Sequence, residues 1–148
     1  MTDHTIEKGI EWGYAPSVQG TEMVSIASTY GLFIDGAFVD PTDGEMFSTI
    51  NPATEEKLSS VAAAGVADID LAVKAARRAF ENVWGPMKPA ERAKYLYRIA
   101  RLLQERAREF AVLETLDGGK PIKESRDIDI PLAAAHFFYY AGWADKLE

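Results

Sequence analysis

Carboxylates are the residues of this sequence whose spacing most readily suggests chemistry. Asp127 and Asp129 are separated by one residue, so in an extended segment both side chains would point the same way and could hold a cation. The alternative, which we favour, is that Asp129 caps a helix beginning near Pro131. Glu114 lies three residues before Asp117, close enough to share a helical turn, but no neighbouring residue supports a general-base role.

The sequence patterns of nucleotide binding and nucleophilic catalysis are absent. The chain has neither Gly-x-Gly-x-x-Gly nor the phosphate-loop pattern Gly-x-x-x-x-Gly-Lys-Ser/Thr. Gly118-Gly119-Lys120 resembles the tail of a phosphate loop, but Pro121 replaces the hydroxyl residue, and a helix terminus is the favoured interpretation. No cysteine is present, and the two histidines argue against a multi-histidine metal site. His136, inside an apolar segment, is expected to bond a backbone carbonyl.

Charge and hydropathy argue against nucleic-acid and membrane partners. The formal net charge is −7, whereas phosphate binding needs a basic face. Residues 1–65 carry ten acids and two bases, which we interpret as a solvated surface, with a complementary basic patch elsewhere as the alternative. No apolar run reaches the roughly 18 residues of a membrane span. Residues 1–25 do not resemble a secretory signal, so we expect a cytoplasmic protein.

Short strands are predicted to follow an irregular leader. Residues 1–30 show no sustained periodicity and are predicted to form an extended arm, which leaves 31–148 as the folded part. Asp35-Gly36 between two apolar runs is a strong signal for a two-residue hairpin. The predicted strands, which would form a small β meander, are Leu32–Ile34, Ala37–Val39, Met46–Ile50 and Lys57–Ala63.

Helices are predicted after residue 65, where the apolar period changes from two to 3.6. Asp68 is expected to cap the first helix. Its predicted buried face comprises Ile69, Val73, Ala76 and Phe80. Pro89 opens a long helix, which Gly118-Gly119 ends. The predicted buried stripe of this helix comprises Leu96, Ile99, Leu103, Ala107 and Phe110.

The last predicted helix, Pro131–Ala144, contains no charged residue. It is too short to cross a bilayer, and a helix that is apolar on nearly every side must be buried between other elements. The preceding amphipathic helices can cover one face of it but hardly all. We therefore expect residues 131–148 to contact further sequence or another subunit, and the protein to self-associate or form a homo-oligomer.

Several short sequence motifs occur along the chain in the same order as in a known protein family. They are Phe33–Gly36, Asn51–Glu56, Ala72–Phe80 with Trp84, Glu91-Arg92, Leu113–Pro121 and Tyr139–Lys146. Together they resemble the opening of aldehyde dehydrogenases. Glu55 stands where the family motif Asn-Pro-Ala-Thr-Gly-Glu has glycine, and Gly118 stands where asparagine is commoner. The leader Glu11–Pro16 is similar to one found in some bacterial members.

The resemblance implies an α/β fold, of which this chain would be the N-terminal part of the cofactor-binding domain. Family members bind NAD or NADP, form a thiohemiacetal on a cysteine and use a glutamate to activate water. Those residues and the cofactor-binding sheet lie beyond the matched segment. We therefore expect this chain alone to be inactive and to bind no cofactor. The alternative is a non-catalytic truncated module that docks on a full-length enzyme.

The resemblance also implies one metal site. Many members hold a monovalent cation with backbone oxygens near the positions of Thr49 and Ile50 and at the position of Asp117. These three residues are therefore the candidate ligands of this chain. The alternative for Asp117 is that its carboxylate accepts backbone hydrogen bonds at the end of a helix.

Overall fold

The computed structural model describes residues 20–146 and places short strands before a series of helices. The strands are β1 (Thr29–Tyr30), β2 (Leu32–Ile34), β3 (Ala37–Val39), β4 (Met46–Ile50) and β5 (Lys57–Ala62). The helices are α1 (Val66–Ala79), α2 (Pro89–Glu105), α3 (Ala107–Gly118), α4 (Ile122–Glu124) and α5 (Ile130–Trp143). This order confirms the predicted α/β class. Most of the predicted arm, residues 1–19, lies outside the described residues.

The predicted hairpin is present as β2 and β3, which pair in antiparallel register with Phe33 opposite Phe38. Both turn residues have positive φ, 55° at Asp35 and 83° at Gly36. That combination defines a type I′ turn, whose twist matches that of the two strands. The rings of Phe33 and Phe38 meet edge to face at a centroid distance of 5.1 Å.

The strands do not form a single meander. The hairpin is a sheet by itself, and a second sheet has the order β1-β5-β4. β4 and β5 pair in antiparallel fashion, but β1 joins β5 in parallel, with Thr29 opposite Ser60. The end of the predicted arm is therefore part of a sheet. Parallel strands that are far apart in the sequence are not joined by a tight turn. No local sequence signal therefore predicts that they pair.

α1 begins at Val66, so Asp68 is its third helical residue and not its cap. The Asp68 carboxylate accepts hydrogen bonds from the backbone N–H of Gly65, at 2.9 Å, and of Thr42, at 3.1 Å. The Thr42 hydroxyl also donates to it. The Thr42 hydroxyl and then the Gly65 N–H lower the pKa of this buried carboxyl. Asp68 thus joins the loop after β3 to the first turn of α1.

The predicted buried face of α1 is wrong, and the predicted stripe of the long helix is only half-buried. The face of α1 that was expected to be buried is exposed, and Asp68 and Ala75 are buried instead. The predicted long helix is divided at Arg106, whose φ of −102° and ψ of 18° depart from helical values. Along α2 and α3 only small side chains and Val112 are buried, while Leu96 and Leu103 are half-buried and Ile99 is exposed. The helices therefore meet through alanine-lined surfaces.

The predicted last helix is present as α5, and it packs against α2. Ala134 and Ala141 are buried on the side that faces α2, and the ring of Phe138 lies 6.1 Å from that of Tyr97. Large apolar side chains on other sides of α5 are exposed, as Leu132 and Trp143 are. None of the helices among residues 20–146 is long and apolar enough to cross a membrane.

Candidate functional site

Thr49 and Ile50, two of the three candidate cation ligands, lie at the end of β4. The register with β5 shifts between these two residues, so the strand is irregular where it leaves the sheet. Thr49 is half-buried and Ile50 is exposed. The following residue, Asn51, closes a tight turn, because its side-chain oxygen accepts from Ala53 N–H at 2.9 Å.

Asp117, the third candidate ligand, lies in the last turn of α3. Its side chain is exposed, and within the described part of the chain its carboxylate accepts no hydrogen bond. The alternative role as an acceptor of backbone hydrogen bonds is therefore not observed. The last turn of a helix also carries the negative end of the helix dipole, which favours a bound cation.

A close backbone contact brings these two segments together. Gly119 ends α3 in the left-handed conformation with φ of 68°, which confirms the predicted helix stop. A Cβ atom built on Gly119 would lie 2.6 Å from Cγ of Pro52. The end of α3 therefore rests against the turn that follows β4. This contact places Asp117 and the Thr49-Ile50 segment on either side of one junction, although the role of these three residues in binding a cation stays a prediction.

An ion pair joins the segment just before α5 to the same junction. Lys120 follows Gly119 directly, and its ammonium group pairs with the carboxylate of Asp129. The neighbouring carboxylate of Asp129 is the main cause of the raised pKa of Lys120. The sequence assigned Lys120 only to a helix terminus. Nothing in the local pattern indicated a partner nine residues further on.

The predictions for Asp127 and Asp129 require correction. Both lie in a π-helical turn, Ser125–Asp129, and not in an extended segment, so they do not form a cation site. Asp129 has helical φ and ψ and makes no capping hydrogen bond, so it does not cap α5. Arg126 Nε donates to Asp127 Oδ1 at 2.6 Å, and this bond lowers the pKa of Asp127. Each carboxylate is therefore already paired with a cationic side chain.

The remaining candidates for chemistry stay isolated. Glu114 is exposed on α3, and within residues 20–146 no three side chains of His, Cys, Asp and Glu come together as metal ligands. His136 is exposed on α5, and its imidazole has no hydrogen-bond partner in the described range. The expected hydrogen bond to a backbone carbonyl is therefore not observed among residues 20–146. No catalytic pair of acid and base is formed by these residues.

A cleft of about 330 Å³ lies between the hairpin and α1. Its wall on α1 consists of four alanines, and its wall on the hairpin is Phe33–Gly36. A dinucleotide would need donors for its phosphates, such as a glycine-rich loop at the start of a helix. This cleft offers one carboxylate and mostly apolar surface, so its lining does not fit NAD or NADP. No step of a hydride transfer follows from its residues.

Comparison with known proteins places this fold within one family. Residues 38–148 match the sequence profile described as the aldehyde dehydrogenase family. DhaS of Bacillus subtilis (strain 168) is 50% identical over 123 residues, which are 82% of this chain and 25% of that protein. An aldehyde dehydrogenase of Alternaria alternata is 45% identical over 118 residues, which are 80% of this chain and 24% of that protein.

A solved structure agrees with the sequence relatives. The NAD⁺ complex of an aldehyde dehydrogenase from Bacillus cereus superposes with a TM-score of 0.78 at 46% identity. The superposition covers 81% of this chain and 25% of that one. This chain thus spans about a quarter of the length of these three relatives.

Proposed function

The chain belongs to the aldehyde dehydrogenase family, and from this membership we propose that it is the N-terminal segment of an enzyme that oxidises aldehydes to carboxylic acids. The match over residues 38–148, together with its span of a quarter of the Bacillus subtilis and Alternaria alternata relatives, carries the proposal. The cofactor of the whole protein would be NAD or NADP. The NAD⁺ complex of the Bacillus cereus relative supports this choice.

We also propose that this chain alone does not oxidise aldehydes. The 148 residues contain no cysteine, so a thiol nucleophile has to come from another part of the protein. The cleft beside the hairpin has the wrong lining for a dinucleotide, and the carboxylates near α5 are neutralised by Lys120 and Arg126. The segment would contribute to the enzyme by shaping and supporting the cofactor-binding domain.

Two assays test this function. The purified chain mixed with NAD⁺ and a panel of aldehydes should give no rise in the absorbance of reduced nicotinamide. A chimera in which this chain replaces the matched first quarter of the Bacillus cereus enzyme should turn over aldehyde. Turnover by the chain alone would contradict the proposed inactivity. A folded chimera without turnover would contradict the role as an enzyme segment.

A monovalent cation bound by Thr49, Ile50 and Asp117 is part of the proposal. The contact between Gly119 and Pro52, which holds the two ligand segments at one junction, supports it. In the active chimera we expect K⁺ or Na⁺ to raise the thermal midpoint relative to a large organic cation. Asp117→Asn should reduce that increase, because it removes a negative charge beside the cation while it leaves the backbone oxygens in place. An equal response in the Asp117→Asn protein would exclude a role for the Asp117 carboxylate, and an equal midpoint in K⁺, Na⁺ and the organic cation would contradict the site as a whole.

We further propose that residues 131–148 contact the remainder of the enzyme or another subunit. The exposed aromatic side chains of α5 support this proposal, because large apolar surfaces in water usually mark contacts. A truncated module that docks on a full-length enzyme would use the same surface. Sequencing of the gene past codon 148 separates these two possibilities. The cytoplasmic location stays a prediction, which fractionation of cells would check.

A further inference from the structure

Three aspartates of the chain are followed directly by glycine, and they are Asp35, Asp43 and Asp117. An Asp-Gly pair can rearrange by itself, because the glycine nitrogen can attack the side-chain carboxyl carbon of the aspartate. A new C–N bond closes a five-membered succinimide ring, and a carboxyl oxygen leaves as water. Water then opens the ring at either carbonyl, which yields aspartate again or isoaspartate, whose main chain runs through Cβ and Cγ. Glycine favours the reaction, because it has no Cβ atom beside the attacking nitrogen.

The three glycine nitrogens differ in what their N–H groups bind. The N–H of Gly44 donates to the carbonyl of Pro41 at 3.0 Å, and Pro41 is buried. Gly118 is the last residue of α3, so its N–H donates to the preceding turn of the helix. The N–H of Gly36 makes no hydrogen bond with any residue between 20 and 146. Attack on the carboxyl of Asp35 therefore breaks no hydrogen bond of the fold at the nitrogen.

The turn that contains Asp35 is held by few neighbours. Its hairpin is a sheet by itself, with three residues in each strand. Phe33 and Phe38 remain 65% and 69% exposed. The side chain of Asp35 is 67% exposed, and its ion pair with Arg78 is exposed as well, so it contributes little to stability. Because a two-stranded hairpin is marginally stable in water, this turn can open while the rest of the chain stays folded.

The other two Asp-Gly pairs lie in segments that the fold holds more firmly. Closure of the ring requires rotation about the Cα–C bond of the aspartate, because the nitrogen has to face Cγ. The carboxylate of Asp43 accepts from the N–H of Glu45 at 3.1 Å, so the loop fixes the side chain that has to turn. Asp117 lies in the last turn of α3, where helical geometry fixes the backbone on both sides of its carbonyl. Rotation at either position disturbs hydrogen-bonded structure.

We propose that Asp35 is the isoaspartate site of this chain, where the rearrangement proceeds in the folded protein while Asp43 and Asp117 are protected. The product lengthens the main chain of the turn by one carbon atom and takes the carboxylate away from its place beside Arg78. A type I′ turn accommodates two residues of ordinary length. The pairing of Phe33 with Phe38 is therefore lost on modification. This modification is independent of the proposed oxidation of aldehydes.

The test follows isoaspartate at the three positions in the purified chain, kept dilute at neutral pH and physiological temperature. Peptides from a protease digest are separated, and electron-transfer fragmentation distinguishes isoaspartate from aspartate at each position. In the folded chain, Asp35 should react about fivefold faster or more than Asp43 or Asp117, the factor that one backbone hydrogen bond contributes. In urea the three rates should become similar, because no glycine N–H is then protected by the fold.

Asp35→Asn and Asp43→Asn are a matched pair of variants, because asparagine closes the same ring with ammonia as the leaving group. Neither variant has a carboxylate at the substituted position, so carboxyl ionisation cannot account for a difference in rate. In the folded chain Asp35→Asn should form isoaspartate faster than Asp43→Asn, and in urea the two rates should agree.

Four outcomes would overturn the proposal. They are equal rates for the two asparagine variants in the folded chain, a faster reaction at Asp43 or Asp117 than at Asp35, and no isoaspartate at Asp35 under conditions in which the unfolded chain forms it. The fourth is the same ratio of rates in urea as in the folded chain, which would assign the difference to the neighbouring sequence and not to the fold.

Discussion

Two adjacent glycines at the end of α3 differ in what their backbones require. Gly119 has φ of 68°, and a Cβ atom there would lie 2.6 Å from Pro52, whereas one on helical Gly118 would meet nothing nearer than 3.9 Å. We expect Gly119→Ala to lower the free energy of unfolding by about 1–3 kcal/mol. Gly118→Ala should raise it by about 0.5–1 kcal/mol, because alanine restricts the unfolded chain. Urea denaturation followed by tryptophan fluorescence measures both changes.

Gly36→Ala is the control for backbone strain alone. Gly36 has φ of 83° in the hairpin turn, and a Cβ atom built on it would have no atom within 4 Å. The difference between Gly119→Ala and Gly36→Ala therefore reports the contact with Pro52. If the two substitutions cost the same, the junction between β4 and α3 does not depend on close approach at Gly119.

The contacts that the Asp68 carboxylate makes with Thr42 and Gly65 depend on pH. Hydrogen bonds from Thr42 and Gly65 lower its pKa in the folded protein. A carboxyl of this kind stabilises the fold above its unfolded pKa of about 3.9, and the contribution is lost as the pH falls through the lower folded pKa. We expect Asp68→Asn to lower the thermal midpoint by several degrees at neutral pH. The difference from the unsubstituted protein should shrink below about pH 4, and a difference independent of pH would contradict this explanation.

Secondary-structure elements with local signals were predicted well. The hairpin at Asp35-Gly36 and the helix end at Gly119 depend on positive φ, which glycine and its neighbours reveal in the sequence. The face that α1 buries was not predictable in this way. An apolar period of 3.6 shows that Ile69 and Val73 share a face, but it does not show whether the partner of that face lies in the same 148 residues. Both side chains are exposed in the structure.

The candidate site was predictable only in part, because it depends on how elements meet. The resemblance selected Thr49, Ile50 and Asp117, but no spacing rule places residues 50 and 117 near one junction. The structure does so through a glycine–proline contact. The prediction of a possible cation site at Asp127 and Asp129 was wrong for a related reason. A two-residue spacing implies a shared direction in a strand, and the segment is a π-helical turn.

Two buried serines in different elements should respond oppositely to removal of the hydroxyl. Ser125, in the π-helical turn, is fully buried, and its Oγ has no partner in the described part of the chain. Ser59, in β5, is also buried, and its hydroxyl donates to Ala27 O at 2.8 Å. We expect Ser125→Ala to stabilise the fold by about 1 kcal/mol, because it removes an unsatisfied polar group.

Ser59→Ala is the matched control and should cost about 1 kcal/mol, since it breaks the hydrogen bond to the segment before β1. Urea denaturation of both variants gives the two free energies. A loss of stability from Ser125→Ala would indicate that this hydroxyl is bonded, for example to a buried water molecule.

At the scale of the whole molecule, the large apolar residues are not where a self-sufficient domain would place them. The buried apolar residues of the described chain are seven alanines and Val112. Exposed large residues occur on the hairpin, on α1, on α2 and on α5, as Phe38, Val73, Tyr95 and Tyr140 illustrate. Burial of large side chains provides most of the free energy of folding. Much of the available apolar surface therefore contributes little to folding in the chain by itself.

The isolated chain should consequently bind a hydrophobic dye and self-associate as its concentration rises. Replacement of Leu132, Tyr139 and Trp143 by serine should reduce both dye fluorescence and apparent mass in light scattering, because it removes exposed apolar area from α5. Serine at Val66 and Val73 of α1, and at Phe80 directly after its last residue, provides a comparison at a second exposed face. We expect each triple variant to lower dye binding, with the larger decrease for the α5 variant, because the rings of Tyr139, Tyr140 and Trp143 are in contact with one another. A concentration-independent monomer that binds no dye would contradict the exposure of these side chains in solution.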